Sequence, residues 1–202
     1  CDAITSISGF SQITKLEEIR FDENLNLTSI NGFEALLLVK SIWINDNFNL
    51  NSITGFDILG EINILTLWDT GLTNLDFMSN VKIISQILSI RDNPLLTDIT
   101  AIEGFVYIAG GTVRIERSPQ LTDCCSVRLL MQRNILNGVV HIEGNGTGCS
   151  SLIEIYESCP DTESDGIFDS EDNCINDANP LQTDTDMDGI GDGCDNCPQT
   201  PN

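Results

Sequence analysis

Histidine, basic residues and long apolar runs are scarce in this 202-residue chain, and each scarcity excludes a class of function. The single histidine, His141, leaves almost nothing from which to build a Ser-His-Asp triad or a His-rich zinc site. Nine Lys and Arg residues face 31 acids, and the resulting net charge of -22 disfavours nucleic acid and anionic lipid as partners. No apolar run approaches the roughly 18 residues that a membrane span needs.

Catalytic motifs are missing as well. The chain contains no nucleophile elbow, phosphate-binding loop, dinucleotide fingerprint or HExxH. Pairs of acids could imitate a glycosidase, but their spacing fits metal ligation first. His141 aligns with the outward residues of the repeats described below, where an ordinary exposed side chain is expected. We therefore expect a chain that is not an enzyme.

The cysteines indicate an oxidising compartment. Seven of the eight lie in the C-terminal half, and the single C-x-x-C, Cys194/Cys197, sits inside an acidic segment. Because zinc usually requires histidine or closely paired cysteines, disulfides are the better interpretation. The chain is thus expected to be extracellular or displayed at the cell surface.

A short signature recurs through the first 150 residues. Its copies are SISGF at 6–10, SINGF at 29–33, SITGF at 52–56, NLDFM at 74–78 and DITAI at 98–102. An apolar position of this signature returns every 22 to 25 residues, at Ile7, Ile30, Ile53, Leu75, Ile99 and Cys124. Alternating apolar residues precede or follow each copy, which predicts strands with one buried face. These pairs are Ile19/Phe21, Ile42/Ile44, Leu65/Leu67, Leu88/Ile90, Val113/Ile115 and Val140/Ile142.

One short strand in each turn of 22 to 27 residues predicts a mainly β repeat solenoid, whose strands stack into a parallel sheet. Its convex side is expected to be irregular or to carry short helices. An N-x-x-L landmark follows the strands, at Asn24/Leu27, Asn47/Leu50 and Asn93/Leu96, with Ser118/Leu121 as a variant. We interpret the Asn as a structural residue that satisfies backbone groups at a tight corner.

The two ends of the repeats differ. Near the C-terminal end, Cys124, Cys125, Cys149 and Cys159 flank the last strand and a stretch, 127–136, whose apolar spacing predicts a helix. Two disulfides among these four cysteines would cap the end, with the connectivity left open. At the other end, Cys1 falls in register with a corner Asn, so we expect further repeats and domains of a parent chain.

The phrase ILSIRDNPLLTDITAI at 87–102 is similar to the repeats of receptor L domains, within the leucine-rich-repeat superfamily. The resemblance covers roughly residues 1–155, in which L-x-I-x-x-N-x-x-L-x-x-I recurs loosely. One copy departs from it, because Thr70-Gly71-Leu72 replaces the Asn corner. The resemblance implies a leucine-rich-repeat solenoid.

Residues 159–202 carry twelve acids and neither Lys nor Arg, in two copies of one spacing. Each copy has oxygen donors at loop positions 1, 3, 5, 9 and 12 and Gly at position 6, the spacing with which a short loop wraps calcium. Position 7 supplies a backbone carbonyl. The first set is Asp161, Glu163, Asp165, Ile167, Asp169 and Asp172; the second is Asp184, Asp186, Asp188, Ile190, Asp192 and Asp195. We expect at least two Ca²⁺ ions, without which repulsion among the acids leaves the segment unfolded.

This segment resembles thrombospondin type 3 repeats in its D-x-D-x-D-G-x-G-D-x-C-D run, its D-N-C units and its N-x-x-Q, Asn179 and Gln182. The resemblance implies a thin segment wound around calcium and a disulfide between Cys174 and Cys194. It places the partner of Cys197 outside the chain. Glu163 and Ile175 depart from the family pattern, so weaker binding by the first loop is expected. The alternative is an acidic disordered tail.

One face of the predicted sheet is the candidate recognition surface. Trp43 and Trp68 point outward from adjacent strands, displaced by two positions, with Arg20 and Arg114 nearby. Two indoles with arginines could stack on a sugar ring or hold a protein loop. The plainer alternative is that each Trp packs along the stems of its neighbours.

Together these features predict a solenoid over 1–158 and calcium repeats over 159–202. The expected function is non-catalytic recognition or adhesion, with a binding module for an unknown protein or glycan joined to a calcium-rigidified stalk. The combination resembles bacterial surface adhesins. Two alternatives remain: an accessory module of a secreted hydrolase, and an ice- or crystal-binding solenoid.

Overall fold

The chain divides into two compact units in a computed structural model, Cys1–Ile155 and Tyr156–Asn202. The structure describes residues 4–108, 111–133, 135–136 and 138–201. The division lies a few residues before the boundary that the sequence predicts. Cys1, with its predicted place in a corner, lies outside the described residues.

Unit 1 is built on parallel strands. In chain order they are β1 (Ser6–Ile7), β2 (Lys15–Asp22), β3 (Ser29–Ile30), β4 (Leu38–Asn47), β5 (Ser52–Ile53), β6 (Glu61–Thr70), β7 (Ile83–Arg91), β8 (Tyr107–Ile108), β9 (Thr112–Glu116) and β10 (Val139–Glu143). The larger sheet has the order β10-β9-β7-β6-β4-β2, with β8 beside β7, and the smaller sheet has the order β1-β3-β5. The fold is therefore mainly parallel β-sheet, whereas a solenoid of leucine-rich-repeat type stays a prediction.

Helical elements are short. The described residues form α1 (Cys125–Gln132), α2 (Leu152–Ser158) and two 3₁₀ turns, Asp76–Met78 and Thr100–Gly104. The first helix begins two residues before the stretch in which a helix is predicted and ends four residues before it does. Beside it, Cys124 is joined to Cys149, and Cys125 also takes part in a disulfide. In unit 2, Cys159 is a disulfide cysteine as well.

The register of the large sheet follows the sequence repeat. The outward residues Arg20, Trp43, Thr66, Ser89, Arg114 and His141 pair in one row from β2 to β10. The inward row beside it contains Ile44, Leu67, Ile90 and Ile115, each at most 1% exposed. Since alternate residues of a strand face opposite sides, this register places the repeated apolar residues in one continuous core.

The corner residues form a buried polar ladder. Asn47, Thr70, Asn93 and Ser118 are at most 1% exposed, and Asn145 is 8% exposed. The side-chain amide of Asn93 donates to the carbonyls of Leu67 and Arg91, while its Oδ1 accepts from the backbone N–H of Thr70 at 3.0 Å. The prediction that corner asparagines satisfy backbone groups is confirmed, and Thr70 occupies the place of the missing Asn.

A stack of phenylalanines runs along the signature copies. The ring centroids of Phe10 and Phe33 are 5.2 Å apart, and those of Phe33 and Phe56 are 5.1 Å apart. Phe77 continues the row edge-on at 6.1 Å from Phe56. Phe33 and Phe56, the last residues of SINGF and SITGF, are therefore stacked core residues, a role that the sequence interpretation did not assign, whereas Phe10 of SISGF is 40% exposed.

Candidate metal centres

The two acidic loops of unit 2, residues 161–172 and 184–195, have the same backbone turn. Gly166 and Gly189, at position 6, have φ of 98° and 94°. Position 4 is also left-handed, with φ of 62° at Ser164 and 64° at Met187. The motif predicts Gly at position 6. The left-handed backbone at position 4 could not be predicted, because Ser164 and Met187 are not residue types typical of that conformation.

Side chains and backbone fix each loop in the same way. In the first loop the N–H of Gly166 donates to Oδ2 of Asp161 at 3.2 Å, and the N–H of Ile167 donates to Oδ1 of Asp165 at 2.9 Å. In the second loop Gly189 donates to Asp184 at 3.0 Å and Ile190 to Asp188 at 2.9 Å. The carboxylates at positions 1 and 5 are therefore oriented by the loop itself.

Each loop gathers three carboxylates. One oxygen from each of Asp161, Glu163 and Asp165 lies within 4.8 Å of the others, and the same holds for Asp184, Asp186 and Asp188. Oxygen donors without nitrogen or thiolate suit Ca²⁺ or Mg²⁺ rather than zinc. Three negative charges this close repel one another, so a bound divalent cation would relieve the repulsion.

Some carboxylate oxygens in the loops are buried and have no hydrogen-bond partner. They include both oxygens of Glu163 and Oδ2 of Asp186, at position 3 of their loops. They also include Oδ2 of Asp172 and of Asp195, at position 12. Burying an anionic oxygen without a partner is costly, so these atoms fit a site that a cation completes. In both loops, the acids at positions 3 and 12 have such a buried oxygen without a hydrogen-bond partner.

The acids at position 9 accept hydrogen bonds from a threonine of the same loop. Asp169 accepts from the backbone N–H of Thr162 at 2.7 Å and from its hydroxyl at 2.8 Å. Asp192 accepts from the same two groups of Thr185, at 2.8 and 2.7 Å. The predicted ligands Asp169 and Asp192 therefore use both oxygens to hold the Thr at position 2, and they stand outside the three-acid groups.

The pKa directions agree with this geometry. Burial and the charges of Asp172 and Asp165 raise the pKa of Glu163. Burial and the charges of Asp188, Asp195 and Asp184 likewise raise the pKa of Asp186. Burial acts to raise the pKa of Asp172 too, but hydrogen bonds from the N–H of Cys174 and the amide of Gln182 lower it overall. The pKa values of the two position-3 acids are thus both raised, and a bound cation would offset the charges of their neighbours.

A disulfide and an amide network connect the two loops. Cys174 is joined to Cys194, the pairing expected from the family resemblance, whereas Cys197 is a free, exposed thiol. Oε1 of Gln182 accepts from the N–H of Asn173 at 2.9 Å, and its Nε2 donates to Oδ1 of Asn179 at 2.7 Å. The N–H of Asn179 in turn donates to Oδ2 of Asp165 at 2.7 Å, which extends the network into the first loop.

On the outward face of unit 1 the two tryptophans are displaced by two positions, as the repeat register predicts. Trp68 is 43% exposed, but Trp43 is only partly exposed and its Nε1 is buried, so the expectation of two exposed indoles is wrong for Trp43. Arg20 lies over the Trp43 ring, with its guanidinium carbon 5.9 Å from the centroid. Trp43 therefore packs against a neighbouring stem, as in the plainer alternative.

One comparison with known proteins finds a similarity in part of unit 2. The family model of the thrombospondin type 3 repeat matches residues 182–202, which contain the second loop. No curated protein and no solved structure matches the chain. Type 3 repeats are extracellular calcium-binding modules, and the disulfides of this chain are consistent with an extracellular location. None of the described helices is long and apolar enough to cross a membrane.

Proposed function

We propose that the chain is a non-catalytic extracellular recognition or adhesion fragment. In this proposal residues 1–158 form a repeat solenoid of leucine-rich-repeat type, and residues 159–202 form a stalk that calcium makes rigid. The in-register stacking of strands at intervals of one repeat supports the first part. The shared geometry of the two acidic loops supports the second.

The calcium function rests on one observation: both loops bury unpaired carboxylate oxygens at the same positions, 3 and 12. We assign one ion to each loop, held by the carboxylates at positions 1, 3, 5 and 12 and the carbonyl of Ile167 or Ile190. Asp169 and Asp192 contribute by holding Thr162 and Thr185. The first loop lies outside the family match, and its inclusion rests on its having the same hydrogen bonds as the second.

Calcium supplies the positive charge that the chain itself lacks here. The described residues of unit 2 have only a small apolar core, with Phe168 and Cys174 among the few buried apolar side chains, so hydrophobic burial stabilises it little. Binding to the folded loops and not to the unfolded segment shifts the folding equilibrium by mass action. The stalk is therefore rigid where calcium is abundant, as outside cells.

The recognition function is assigned to the outward face of the sheet in unit 1. Its residues with ligand-binding chemistry include the exposed Trp68, with Arg91 at 5.3 Å from its ring centroid, and Arg114 one row away. Aromatic and arginine side chains dominate the binding energy of many interfaces. The ligand is a protein or a glycan of unassigned identity.

Calcium titration of the full chain tests this proposal. Two binding events with dissociation constants on the order of 10⁻⁴ to 10⁻³ M are expected by calorimetry, with compaction in solution scattering that a chelator reverses. Asp186→Asn should remove the event of the second loop and Glu163→Gln that of the first. Asp177→Asn, an exposed acid between the loops, removes the same charge as a control and should retain both. A chain whose heat signal and dimensions are unchanged at millimolar calcium contradicts the proposal.

A further inference from the structure

A shallow groove with a volume of about 680 Å³ lies beside the last residues of four neighbouring strands of unit 1. Its lining combines an indole and two prolines with three acids and one base: Trp68, Pro94, Pro119, Asp46, Asp69, Asp92 and Arg117. The groove plays no part in calcium binding, so what it binds is a separate question from the function of the loops.

Three of its acids are stacked by the repeat. Asp46, Asp69 and Asp92 follow residues that pair across β4, β6 and β7, and all three have φ between 51° and 55°. Neighbouring parallel strands are about 4.8 Å apart, so each carboxylate has a like charge one strand away. Burial and the charges of Asp46 and Asp92 raise the pKa of Asp69. The stack therefore costs stability.

The backbone does not require acids at these corners. A left-handed residue can be Gly or Asn as readily as Asp. In the next two repeats the same position is taken by Arg117, with φ of 53°, and by Gly144, with φ of 66°. The negative charge is thus an addition to what the fold needs, and such additions are typical of binding sites.

Only one end of the stack is neutralised. Arg117 donates to both oxygens of Asp92, at 2.6 and 2.7 Å. Within the described ranges, neither Asp46 nor Asp69 forms an ion pair. These acids are also not among the described groups whose oxygens come within 4.8 Å of one another, which disfavours a single metal ion as the occupant.

Trp68 adds a surface for the stem of a long cationic side chain. It is 43% exposed, and the guanidinium carbon of Arg91 already lies 5.3 Å from its ring centroid. A ring that stacks on one guanidinium is chemically suited to a second, and Pro94 and Pro119 extend the apolar lining.

We propose that this groove binds Lys or Arg side chains of a basic segment on a protein partner. The methylene stem packs on Trp68 and the prolines, and the charged end pairs with Asp69 and Asp46. The complementarity is of sign and of shape: an acidic groove with an aromatic wall accepts a cationic side chain and repels anionic ligands.

Fluorescence anisotropy with the full chain and a labelled hexa-arginine peptide tests the groove, at about 2 mM CaCl₂ to fill the loops and about 150 mM NaCl to screen long-range attraction. Asp46→Asn with Asp69→Asn should weaken binding about ten-fold or more. Asp57→Asn with Asp76→Asn, two exposed acids outside the groove, changes the net charge equally and should weaken it about two-fold at most.

Two further measurements separate binding from folding and from bulk charge. The groove variant should unfold at the same temperature as the wild type or higher, because it loses a like-charge contact. A hexa-citrulline peptide, which keeps the shape but not the charge, should not bind. Equal weakening by both double variants, or no binding of hexa-arginine to the wild type, would overturn the proposal.

Discussion

The side-chain amide of Gln182 donates a hydrogen bond of 2.8 Å to Oδ1 of Asp172. Gln182 stands two residues before the first acid of the second loop, and Asp172 is position 12 of the first. The bond therefore joins the entrance of one loop to position 12 of the other. It holds one oxygen of Asp172, and the other, Oδ2, is the buried atom without a hydrogen-bond partner.

We predict that Gln182→Ala weakens calcium binding at the first loop, although Gln182 is not a ligand. Loss of the amide leaves Oδ1 of Asp172 with the N–H of Cys174 as its remaining donor and removes the acceptor of the Asn173 N–H. A hydrogen bond to a charged group contributes about 1.5 to 3 kcal/mol. The first of two calorimetric events should weaken by about ten-fold or more. Gln199→Ala, at an exposed position of the same segment, is the control. Unchanged affinity in the Gln182 variant would show that the bond does not position Asp172.

A matched pair of glycines tests the packing of the second loop. A Cβ on Gly191 would meet Oδ1 of Asn173 and lie 2.6 Å from Nδ2 of Asn179, whereas a Cβ on Gly193 would lie 3.7 Å from its nearest neighbour. Gly191→Ala should therefore separate the two asparagines and lower the affinity of the second loop by at least about ten-fold, at a cost of about 1 to 3 kcal/mol. Gly193→Ala should bind calcium almost as the wild type does. Calorimetric titration of both variants distinguishes crowding from a general effect of losing glycine.

The buried ladder of unit 1 predicts a large loss of stability in Asn93→Ala. The substitution removes the partner of the Leu67 and Arg91 carbonyls and of the Thr70 N–H and hydroxyl. Leaving such groups unpaired should lower the free energy of unfolding by about 2 kcal/mol or more. Urea unfolding followed by the fluorescence of Trp43 and Trp68 reports on this unit alone. Asn51→Ala, at an exposed site, should change it by no more than about 0.5 kcal/mol.

The contributions of Asp69 and Asp92 to the stability of unit 1 should change with pH in opposite directions. The pKa of Asp69 is raised by burial and by Asp46 and Asp92, so unfolding becomes easier as pH rises from the unfolded pKa of about 3.9 through the folded one. Asp69→Asn should thus stabilise unit 1 at pH 7, with a gain that disappears below the unfolded pKa. Hydrogen bonds from Arg117 lower the pKa of Asp92, so the stabilisation that ionised Asp92 gives to unit 1 is lost as pH falls through its folded pKa. Asp92→Asn should therefore destabilise unit 1 at pH 7.

Urea unfolding across this pH range, with a chelator present so that the calcium loops contribute nothing, measures both effects. If both variants shift stability in the same direction at pH 7, the assignment of opposite pKa shifts to Asp69 and Asp92 is wrong.

The register of the large sheet was predictable because its cause is local and repeated. Each strand carries the same alternation, and a shift by one residue would turn Ile44 and Leu67 to solvent. The acidic loops were predictable for a similar reason, since a cation-binding turn constrains residue types at fixed spacing. That Asp169 and Asp192 bind the ion stays a prediction, and their spacing gave no indication of the hydrogen bonds that they accept from Thr162 and Thr185.

Other features depend on contacts between distant residues. The bridge from Gln182 to Asp172 and the crowding of Gly191 against Asn173 and Asn179 arise only when the two loops are folded. The packing of Arg20 over the ring of Trp43 likewise joins residues that are one repeat apart. Periodicity places a side chain on a face, but what lies over that face is decided by neighbouring turns.

The polar ladder also bears on how the length of unit 1 can change. The N–H of Asn24 donates to Oδ1 of Asn47, 23 residues away, and the N–H of Thr70 donates to Asn93 over the same separation. Phe33 and Phe56 stack over an equal step. Removing or duplicating one whole period in this region would bring equivalent donors, acceptors and rings back into contact, whereas an insertion of a few residues would not. The length of unit 1 can thus change in steps of one repeat while its fold is kept, and each step adds or removes one strand spacing, roughly 4.8 Å.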